Sequence, residues 1–345
     1  MLVFIAPYPD CNNEQDGMIQ RIASIDSNFE SRARVYLDIS FRRFFKKNII
    51  IKNNLTIYKL NLFFSFITIL CVIARAKTLY VHSVYNALKI LPFFYFKKII
   101  TDMHGVVPEE MLFEGNKMSA FIYNWTEKIT VKKSYSIISV TKMMAEHFKN
   151  KYDRDCSFDL IIPIITHKVS SLRLSKTRMF MAPLVIYAGG LQKWQNVPKM
   201  LEAVKRNSSV RYRFLTGKPA EMLELAHNYG ILNLEVKSVV PSLVEEHYLE
   251  SDYGFLLRDD ILLNKVACPT KGIEYLANGV VPIVLSKDVG DFFRHGYQFV
   301  TYEDFILDEL PSLLELDKMK KKNYDVISSM KKEMEAGLTS LRSIA

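Results

Sequence analysis

The chain has few cysteines and no long apolar run. Its 4 cysteines among 345 residues form no C-x-x-C pair, which argues against a disulfide-rich secreted protein and a zinc site. The longest apolar stretch, Leu62 to Ala74, contains two hydroxyl residues and is shorter than the roughly 20 residues that a membrane-spanning helix needs. It predicts a buried helix. The N-terminus lacks a basic segment, and Pro7 ends its apolar run, so we expect a cytoplasmic protein without a signal peptide.

Charge is distributed unevenly along the chain. Residues 1–180 carry 26 Lys and Arg against 15 Asp and Glu, a net +11, whereas residues 181–345 carry 20 against 22, a net −2. A basic half predicts an anionic partner. Cations alternate with large aromatic residues at 41–47 (FRRFFKK) and 93–98 (FFYFKK). Such segments are typical of the inner face of an anionic membrane, although aromatics in the core under a solvated basic face would give the same pattern.

Strand-like and helix-like segments alternate throughout, which predicts an α/β protein with parallel sheets covered on both faces. Residues 167–183 are polar, basic and aperiodic, so we place a linker there, with domains at 1–170 and 171–345. Thr141 is expected to cap a helix, and the charged stretch from Lys318 to Ser340 is expected to be helical. The predicted strands are Leu2–Ala6, Thr78–His82, Ile99–Met103, Ser136–Val140, Val185–Ala188, Arg211–Thr216, Tyr253–Leu257 and Val281–Leu285.

The most informative stretch runs from residue 253 to 286 and brings three charged side chains together. Arg258 comes at the carboxyl end of a strand, where open α/β sheets bind ligands. Lys271 lies in the first turn of a helix that starts near Pro269 and stops at Gly279, and Glu274 follows on the same, exposed face. Two cations at a helix N-terminus suit a diphosphate, and a carboxylate suits sugar hydroxyls. The alternative for Lys271 and Glu274 is a surface ion pair.

The run P-x-K-x-x-E-Y-L-A-x-G-V-x-P-I at 269–283 resembles the donor-binding helix of retaining glycosyltransferases with two Rossmann-like domains (the GT-B fold, family 4 type). It is most similar to enzymes that assemble bacterial surface polysaccharides, O-antigen or capsule. Met1–Ala6, Ile99–Gly105 (IITDMHG) and Leu184–Asn196 (LVIYAGGLQKWQN) resemble other parts of that fold in the expected order. The resemblance covers nearly the whole chain.

The resemblance implies two Rossmann-like domains that face a central cleft. The first domain would bind the acceptor and the second the donor, and the reaction would need no cofactor and no metal. Arg258 and Lys271 would neutralise the diphosphate of a UDP- or GDP-sugar, and Glu274 would bind its ribose. The leaving phosphate itself would accept the acceptor's proton. The last helix would pack back on the first domain.

Other candidate residues follow from the same resemblance. Gly189 and Gly190 come after a strand and would let the backbone approach a phosphate, although a plain tight turn needs glycine too. The family often has a basic residue at the position of Gly190 and another at that of Gln195, so Lys193 is the substitute cation. Gly17 belongs to a loop that would face the donor.

His104 stands at a strand's carboxyl end with Asp102 and Gly105. A lone histidine is more often structural, but the resemblance implies that His104 hydrogen-bonds the transferred sugar. Glu109 or Glu110 is the carboxylate expected to touch the acceptor.

The chain departs from the family's pattern at one position. Where the family has a Glu eight residues before Glu274, this chain has Val266, and Asn264 or a backbone N–H near Ala267 is the candidate replacement. The triplet Asp153-Arg154-Asp155 matches a metal-binding D-x-D motif, but it lies in a charged loop with no strand before it, so we expect a solvated loop.

Three functions are compatible with these observations. The leading hypothesis is a retaining, metal-independent glycosyltransferase that moves a sugar from a nucleoside diphosphate to a lipid-linked or growing glycan, peripheral on the inner membrane. A nucleotide-sugar 2-epimerase of the same fold is the alternative, and the basic first half argues against it. A nucleic-acid-binding protein is not expected, because no recognition motif is present.

Overall fold

The computed structural model describes residues 1–10, 17–165, 182–232 and 234–345. The chain forms two compact units, unit 1 of Met1–Ile164 with Glu333–Ala345, and unit 2 of Ile165–Lys332. The linker predicted at 167–183 falls mainly on residues 166–181, outside the described residues, as does the boundary predicted between 170 and 171.

Unit 1 is built on an eight-stranded sheet. Its strands are β1 (Leu2–Ile5), β2 (Arg34–Ser40), β3 (Asn48–Lys52), β4 (Leu55–Asn61), β5 (Thr78–His82), β6 (Lys98–Met103), β7 (Ser136–Ser139) and β8 (Leu160–Ile161). Their order is β3-β4-β2-β1-β5-β6-β7-β8, parallel except for the antiparallel β3. Its helices are α1 (Gly17–Asp26), α2 (Phe66–Arg75), α3 (Ser83–Ala87), α4 (Val107–Phe113), α5 (Lys117–Lys133) and α6 (Lys142–Tyr152), with 3₁₀ turns at Ser27–Phe29 and Leu88–Tyr95.

Unit 2 is built on a six-stranded, wholly parallel sheet. Its strands are β9 (Leu184–Ala188), β10 (Arg211–Leu215), β11 (Glu235–Lys237), β12 (Tyr253–Leu256), β13 (Val281–Val284) and β14 (Val300–Thr301). Their order is β11-β10-β9-β12-β13-β14. Its helices are α7 (Val197–Arg206), α8 (Pro219–Asn228), α9 (Val244–Leu249), α10 (Leu262–Val266), α11 (Thr270–Ala277), α12 (Tyr302–Ile306) and the first part of α13 (Leu313–Ile344), with 3₁₀ turns at Lys193–Gln195 and Pro241–Leu243.

The sheet of unit 1 is buried on both faces. Because successive strand side chains point to opposite faces, Leu2 and Phe4 of β1 pack with α1 and with Leu338 of α13, while Val3 and Ile5 pack with α2. Helix α13 belongs to unit 2 up to Lys332 and to unit 1 beyond it. Cover on both sides explains why β1 is a continuous apolar run, whereas the edge strand β3 is largely exposed.

All eight predicted strands are present, with ends within one residue of those expected. Thr141 caps α6 as predicted, since its hydroxyl accepts a hydrogen bond from the N–H of Met144 (3.0 Å). The prediction did not include β2, β3, β4, β8, β11 or β14. Strand β2 carries charged residues that interrupt its apolar pattern, and Arg34 is buried because it pairs with Asp26 at 2.6 Å. Strands β8 and β14 have only two residues each.

The stretch Leu62 to Ala74 is not the buried helix that its composition predicts. Helix α2 starts at Phe66 and buries only one side, including Ile69 and Ile73. Phe64 and Ile67 are 74% and 77% exposed. A ten-residue surface helix buries one stripe against its sheet, so the remaining apolar side chains of this run face solvent. No helix of the described residues is long and apolar enough to cross a membrane.

The two basic aromatic segments lie at opposite ends of the strands of unit 1, one at a carboxyl end and the other at an amino end. Residues 41–47 follow the carboxyl end of β2, and their four cations are exposed. The rings of Phe41 and Phe45 lie 6.2 and 5.8 Å from those of Phe63 and Phe64. Residues 93–98 lead into the amino end of β6, and Phe94 is buried in the core there. Tyr95 and Phe96 of the second segment remain exposed, at 56% and 82%.

The packing around β12 predicts a strong effect of one methyl group. A Cβ at Gly254 would lie 2.6 Å from the buried ring of Tyr275. Gly254→Ala should therefore destabilise the protein by about 1–3 kcal/mol, the usual cost of overpacking a core. Gly217→Ala is the matched control, because no atom lies within 4 Å of its Cβ position. Urea unfolding measures both, and equal midpoints would contradict the described packing.

Candidate functional site

The candidate site of unit 2 lies where the strand order of its sheet reverses. Strands β10 and β11 lie on one side of β9 and β12, and β13 and β14 lie on the other. Connections from two such central strands leave toward opposite faces of the sheet, which opens a crevice at their carboxyl ends. Strand β9 leads into Gly189 and Gly190, and β12 leads into Arg258. The sequence-predicted residues are therefore adjacent at this edge.

Lys271 projects into the same region from α11. The helix starts directly after Pro269, its first turn has no side-chain cap, and Gly279 follows its end with a φ of +69°, as predicted. Lys271 Nζ donates a hydrogen bond to Gln195 Oε1 (3.1 Å) and lies 4.0 Å from the centre of the Tyr187 ring. The side chain is only 8% exposed. A cation over an aromatic face is stabilised by the ring's quadrupole.

Lys271 and Arg258 bring two basic side chains into this region. Burial, followed by the nearby charge of Arg258, holds the pKa of Lys271 well below its ordinary value. Arg258 Nη1 donates to the carbonyl of Trp194 (3.2 Å), and burial lowers its pKa too. Neither cation has an ion-pair partner among the described residues. Buried cations without a carboxylate favour a bound anion.

A side chain at position 189 would displace Lys271 from its present position. A Cβ there would stand 2.5 Å from Lys271 Nζ and 3.0 Å from the hydroxyl of Tyr187. That hydroxyl donates to the carbonyl of Gly190. A Cβ at Gly190 would meet only the flexible side chain of Gln192, so the constraint there is weaker.

Two hydrogen bonds fasten the loop after β9 to the end of β12. Asn196, at a φ of +56°, donates from Nδ2 to the carbonyl of Leu257 (3.1 Å), and Arg258 donates to Trp194. Lys193, the cation predicted for this loop, has an exposed side chain. Gln195 accepts the hydrogen bond of Lys271. A basic residue at that position would repel Lys271, which explains why an amide suits this chain.

Glu274 is less exposed than the sequence predicts. It is partly buried, and its Oε2 accepts a hydrogen bond of 2.6 Å from the buried Tyr248 hydroxyl of α9. Its negative charge partly offsets the depression of the pKa of Lys271. Because Tyr248 of α9 bonds to Glu274, replacement of Glu274 by Ala removes a structural hydrogen bond as well as a charge.

Val266, which stands where the resembled family has a Glu, is buried at the end of α10. Asn264, the candidate replacement, donates from Nδ2 to the backbone carbonyl of Asp259 (2.9 Å). Its backbone carbonyl accepts a hydrogen bond from the N–H of Gly290. The structure thus gives Asn264 a role in holding the loop between β12 and α11.

His104 of unit 1 comes directly after β6, beside a buried ionic cluster. Asp102 accepts hydrogen bonds from Arg21 Nε (3.0 Å) and Nη2 (3.2 Å) and from the hydroxyl of Tyr80. Burial opposes ionisation of Asp102, but the charge of Arg21 holds its pKa below the ordinary value. This cluster fixes the end of β6 and with it the position of His104.

His82 is a site residue that the sequence analysis did not identify. It ends β5, which neighbours β1 where the strand order of unit 1 reverses. Its ring stacks on His104 at a centroid distance of 4.5 Å, and its Nδ1 lies 3.7 Å from Asp102 Oδ2. Neither nitrogen of this buried ring has a hydrogen-bond partner among the described residues. The available signal was its position at the carboxyl end of a predicted strand.

Backbone geometry also marks this end of β5. Ser83 has a φ of +67°, a conformation that residues other than glycine adopt at a cost. Burial, and then the charge of His82, lowers the pKa of His104 to about 3. His104 is therefore neutral at pH 7 and suited to exchanging hydrogen bonds with a hydroxyl group.

The two carboxylates after His104 differ in environment. Although burial raises the pKa of Glu109, hydrogen bonds from His147 and Lys151 lower it to about 2. Glu110 has its pKa raised by burial and by the charge of Glu114. Glu110 also lies against the backbone of Gly105, where a Cβ would be 2.3 Å from its Oε1.

Gly17 and the D-x-D triplet at 153–155 are the two remaining features predicted from the sequence. Gly17 is the first residue of α1, with no atom within 4 Å of its Cβ position, and residues 11–16 of its loop lie outside the described residues. In the D-x-D triplet, Asp153 ends α6 in the left-handed conformation, and Arg154 pairs with Asp159 (2.8 Å). Within the described part of the chain, no group of three or more His, Cys, Asp and Glu is arranged to hold a metal.

Solved structures share this architecture over the whole chain. The Anabaena protein HepE in complex with UDP has a TM-score of 0.71 at 10% identity, covering 99% of both chains. An α,α-trehalose-phosphate synthase (UDP-forming) from Burkholderia vietnamiensis has 0.68 at 11%, covering 99% of this chain and 97% of its own. Sucrose-phosphate synthase from Thermosynechococcus elongatus has 0.67 at 10%, covering 95% and 94%. No protein-family model and no curated protein matches by sequence.

These similarities confirm the predicted GT-B fold with two Rossmann-like, parallel-sheet domains. At such low identity they establish the fold alone. The chemistry therefore has to be argued from this chain's own side chains.

The neutral state of His104 predicts a pH-dependent stability. A histidine whose pKa falls from 6.5 in the unfolded chain to about 3 in the folded one keeps its full contribution above pH 6.5 and loses it as the pH falls toward 3. The loss is at most about 1.4 kcal/mol per pH unit, because one proton is involved. His104→Asn should therefore reduce the drop in unfolding free energy between pH 7 and pH 5, measured by urea titration. A drop of unchanged size would show that His104 is protonated in the fold.

Proposed function

We propose that this protein is a glycosyltransferase that moves a sugar from a nucleoside-diphosphate donor to a glycan acceptor. The observation that carries the proposal is the pair Lys271 and Arg258, buried or partly buried at the switch point of the second sheet without an ion-pair partner among the described residues. A diphosphate supplies the missing anion. The GT-B fold supports it, and HepE was solved with UDP and, in another structure, with UDP and glucose.

The proposed reaction keeps the configuration of the transferred sugar and needs no metal. The bond from the sugar's anomeric carbon to the β-phosphate oxygen breaks, and a bond to the acceptor hydroxyl oxygen forms. The acceptor's proton passes to the leaving phosphate. Lys271 and Arg258 neutralise the charge that grows on that phosphate, the term that usually contributes most to lowering such a barrier. Glu274 binds the ribose hydroxyls, and neutral His104 hydrogen-bonds the transferred sugar.

We further propose that the acceptor is a lipid-linked or growing glycan of bacterial surface polysaccharide, met at the inner face of the membrane. The basic first half supports this proposal. So does the surface around 41–47, where four exposed cations adjoin Phe45, Phe63 and Phe64, all more than 60% exposed. Aromatic rings at headgroup depth with cations on lipid phosphates are the usual arrangement of peripheral membrane segments.

A thermal-shift comparison tests the donor site directly. A ligand that binds only the folded state raises the melting temperature in proportion to ln(1 + [L]/Kd). UDP and GDP, each with its sugars, should include one nucleotide that gives a clear shift in wild type and a smaller one in Lys271→Met. If none stabilises the wild type, the site assignment is wrong. Conversion of a nucleotide sugar without any acceptor would instead indicate the epimerase.

The proposed role of Lys271 and Arg258 predicts that replacing either residue lowers turnover strongly. Lys271→Ala and Arg258→Ala should each lower kcat by about 10²–10³, the effect of removing one preorganised donor from a developing charge. Lys205→Ala is the control, because Lys205 is exposed in the last turn of α7. Steady-state transfer assays measure kcat of each variant, and the same assays with EDTA show whether the wild type needs a metal. Loss of wild-type activity in EDTA that manganese restores would contradict charge neutralisation by Lys271 and Arg258 alone.

Glu274 is best tested with a variant that keeps its hydrogen bond. Glu274→Gln retains an oxygen that accepts from Tyr248 but loses the charge, so folding should be unchanged while kcat/KM falls by about 10- to 150-fold, or about 1.5–3 kcal/mol. Tyr248→Phe removes the same contact from the other side. If Glu274→Gln keeps wild-type activity while Tyr248→Phe loses it, Glu274 acts only by holding Tyr248, and its proposed role on the ribose is wrong.

A further inference from the structure

Helix α5 presents its apolar side to solvent. Met118, Phe121, Ile122 and Trp125 recur at the spacing of one helical face, and we call them the α5 stripe. Met118 and Phe121 are 73% and 74% exposed, and Trp125 is 55% exposed. Leu112 and Phe113 of the neighbouring α4 are exposed too. Large apolar residues that recur on one exposed face mark an interaction surface more often than chance exposure does.

The buried side of α5 carries polar residues beside the apolar Ala120 and Val131, an unusual composition for a surface helix. Thr126, Glu127 and Thr130 are fully buried. Glu127 Oε1 accepts hydrogen bonds from Lys151 Nζ (2.7 Å) and the Tyr152 hydroxyl (2.8 Å) of α6. Lys151 also binds Glu109 of α4 at 2.7 Å.

This buried network fixes the rotation of α5 about its axis. Turning the stripe toward the sheet would withdraw Glu127 from Lys151 and Tyr152 and leave Lys151 paired with Glu109 alone. Such a rotation would leave buried charged groups with fewer partners, and burying an unpaired charge costs several kcal/mol of stability. The stripe therefore faces outward as a consequence of Glu127, and it stays exposed within the part of the chain that the structure describes.

We propose that the α5 stripe docks on an anionic lipid bilayer. Lys117, Lys128, Lys132 and Lys133 of the same helix are exposed, against one exposed acid beside them, Glu114. The four lysines can reach lipid phosphates while the stripe enters the headgroup boundary, and Trp is a side chain favoured at that depth. A symmetric dimer through the same face would instead bring two copies of these lysines together.

The inference deepens the membrane association proposed above but rests on a different observation. It does not use the segment 41–47, and it was not predicted from the sequence. Helix α4 and the start of α5 follow the carboxyl end of β6, the edge at which His104 lies. A bilayer contact there would bring lipid-linked acceptors to the histidine pair of unit 1.

Fluorescence of Trp125 tests the docking. The chain has 2 tryptophans, so Trp194→Phe leaves Trp125 as the single reporter. With vesicles of phosphatidylcholine and phosphatidylglycerol, its emission should shift to the blue and be quenched by lipids brominated on the acyl chain. Unchanged emission from protein that floats with the vesicles would overturn the proposal while leaving membrane binding through 41–47 intact.

Flotation of a stripe variant gives the second readout. Met118→Ser with Phe121→Ser should lower the partition coefficient onto anionic vesicles at least tenfold, without unfolding, since both side chains are exposed. Leu223→Ser with Leu232→Ser, exposed positions of unit 2, is the matched control. Equal flotation of stripe variant and wild type refutes the proposal, and so does a stripe variant that changes only the oligomeric state. No nucleotide sugar is present, so failure here is separate from failure of the transferase proposal.

Discussion

The burial of Lys271 without a carboxylate partner is the constraint on which the rest of the candidate site depends. Removing an ammonium group from water costs several kcal/mol unless other groups compensate. The ring of Tyr187 and the amide of Gln195 compensate in part, and Glu274 contributes negative charge from one turn further along α11. The remaining deficit favours an anion. The position of Lys271 also explains why a side chain at position 189 would disturb the site and why an amide suits position 195 better than a cation.

The two units use the same structural device for different chemistry. Each places its candidate residues at the carboxyl ends of strands near the point where the strand order reverses. In unit 2 that edge carries cations, which suit a phosphate group. In unit 1 it carries two stacked histidines over a buried Arg21–Asp102 pair, and His104 is neutral there. The neutral imidazole of His104 suits a hydroxyl group, so the two sheets present groups of different chemistry at their carboxyl edges.

Local patterns were sufficient for the strands and for the residues that end them. Arg258, Lys271 and Gly189 were predicted because a strand end and a helix start can be identified within about ten residues of sequence. The contacts that tune them were not predicted, since Gln195 and Lys271 are 76 positions apart and Tyr248 and Glu274 are 26 apart. No local pattern encodes such pairs. His82 was missed for a related reason, because it closes a strand whose other residues are mostly apolar and its significance depends on the neighbouring β6.

Apolar side chains were the least reliable guide to what is buried. A hydrophobic pattern gives the period of a helix, but the partners of its polar residues decide which side faces the sheet. In α2 the sheet accommodates only one stripe, so Phe64 and Ile67, within or beside its first turn, stay in solvent. In α5 the pairing of Glu127 with Lys151 and Tyr152 outweighs the preference of Phe121 and Trp125 for the core. Both exposed apolar surfaces belong to unit 1 and lie next to cations, and this combination is the basis of the membrane contact proposed for that unit.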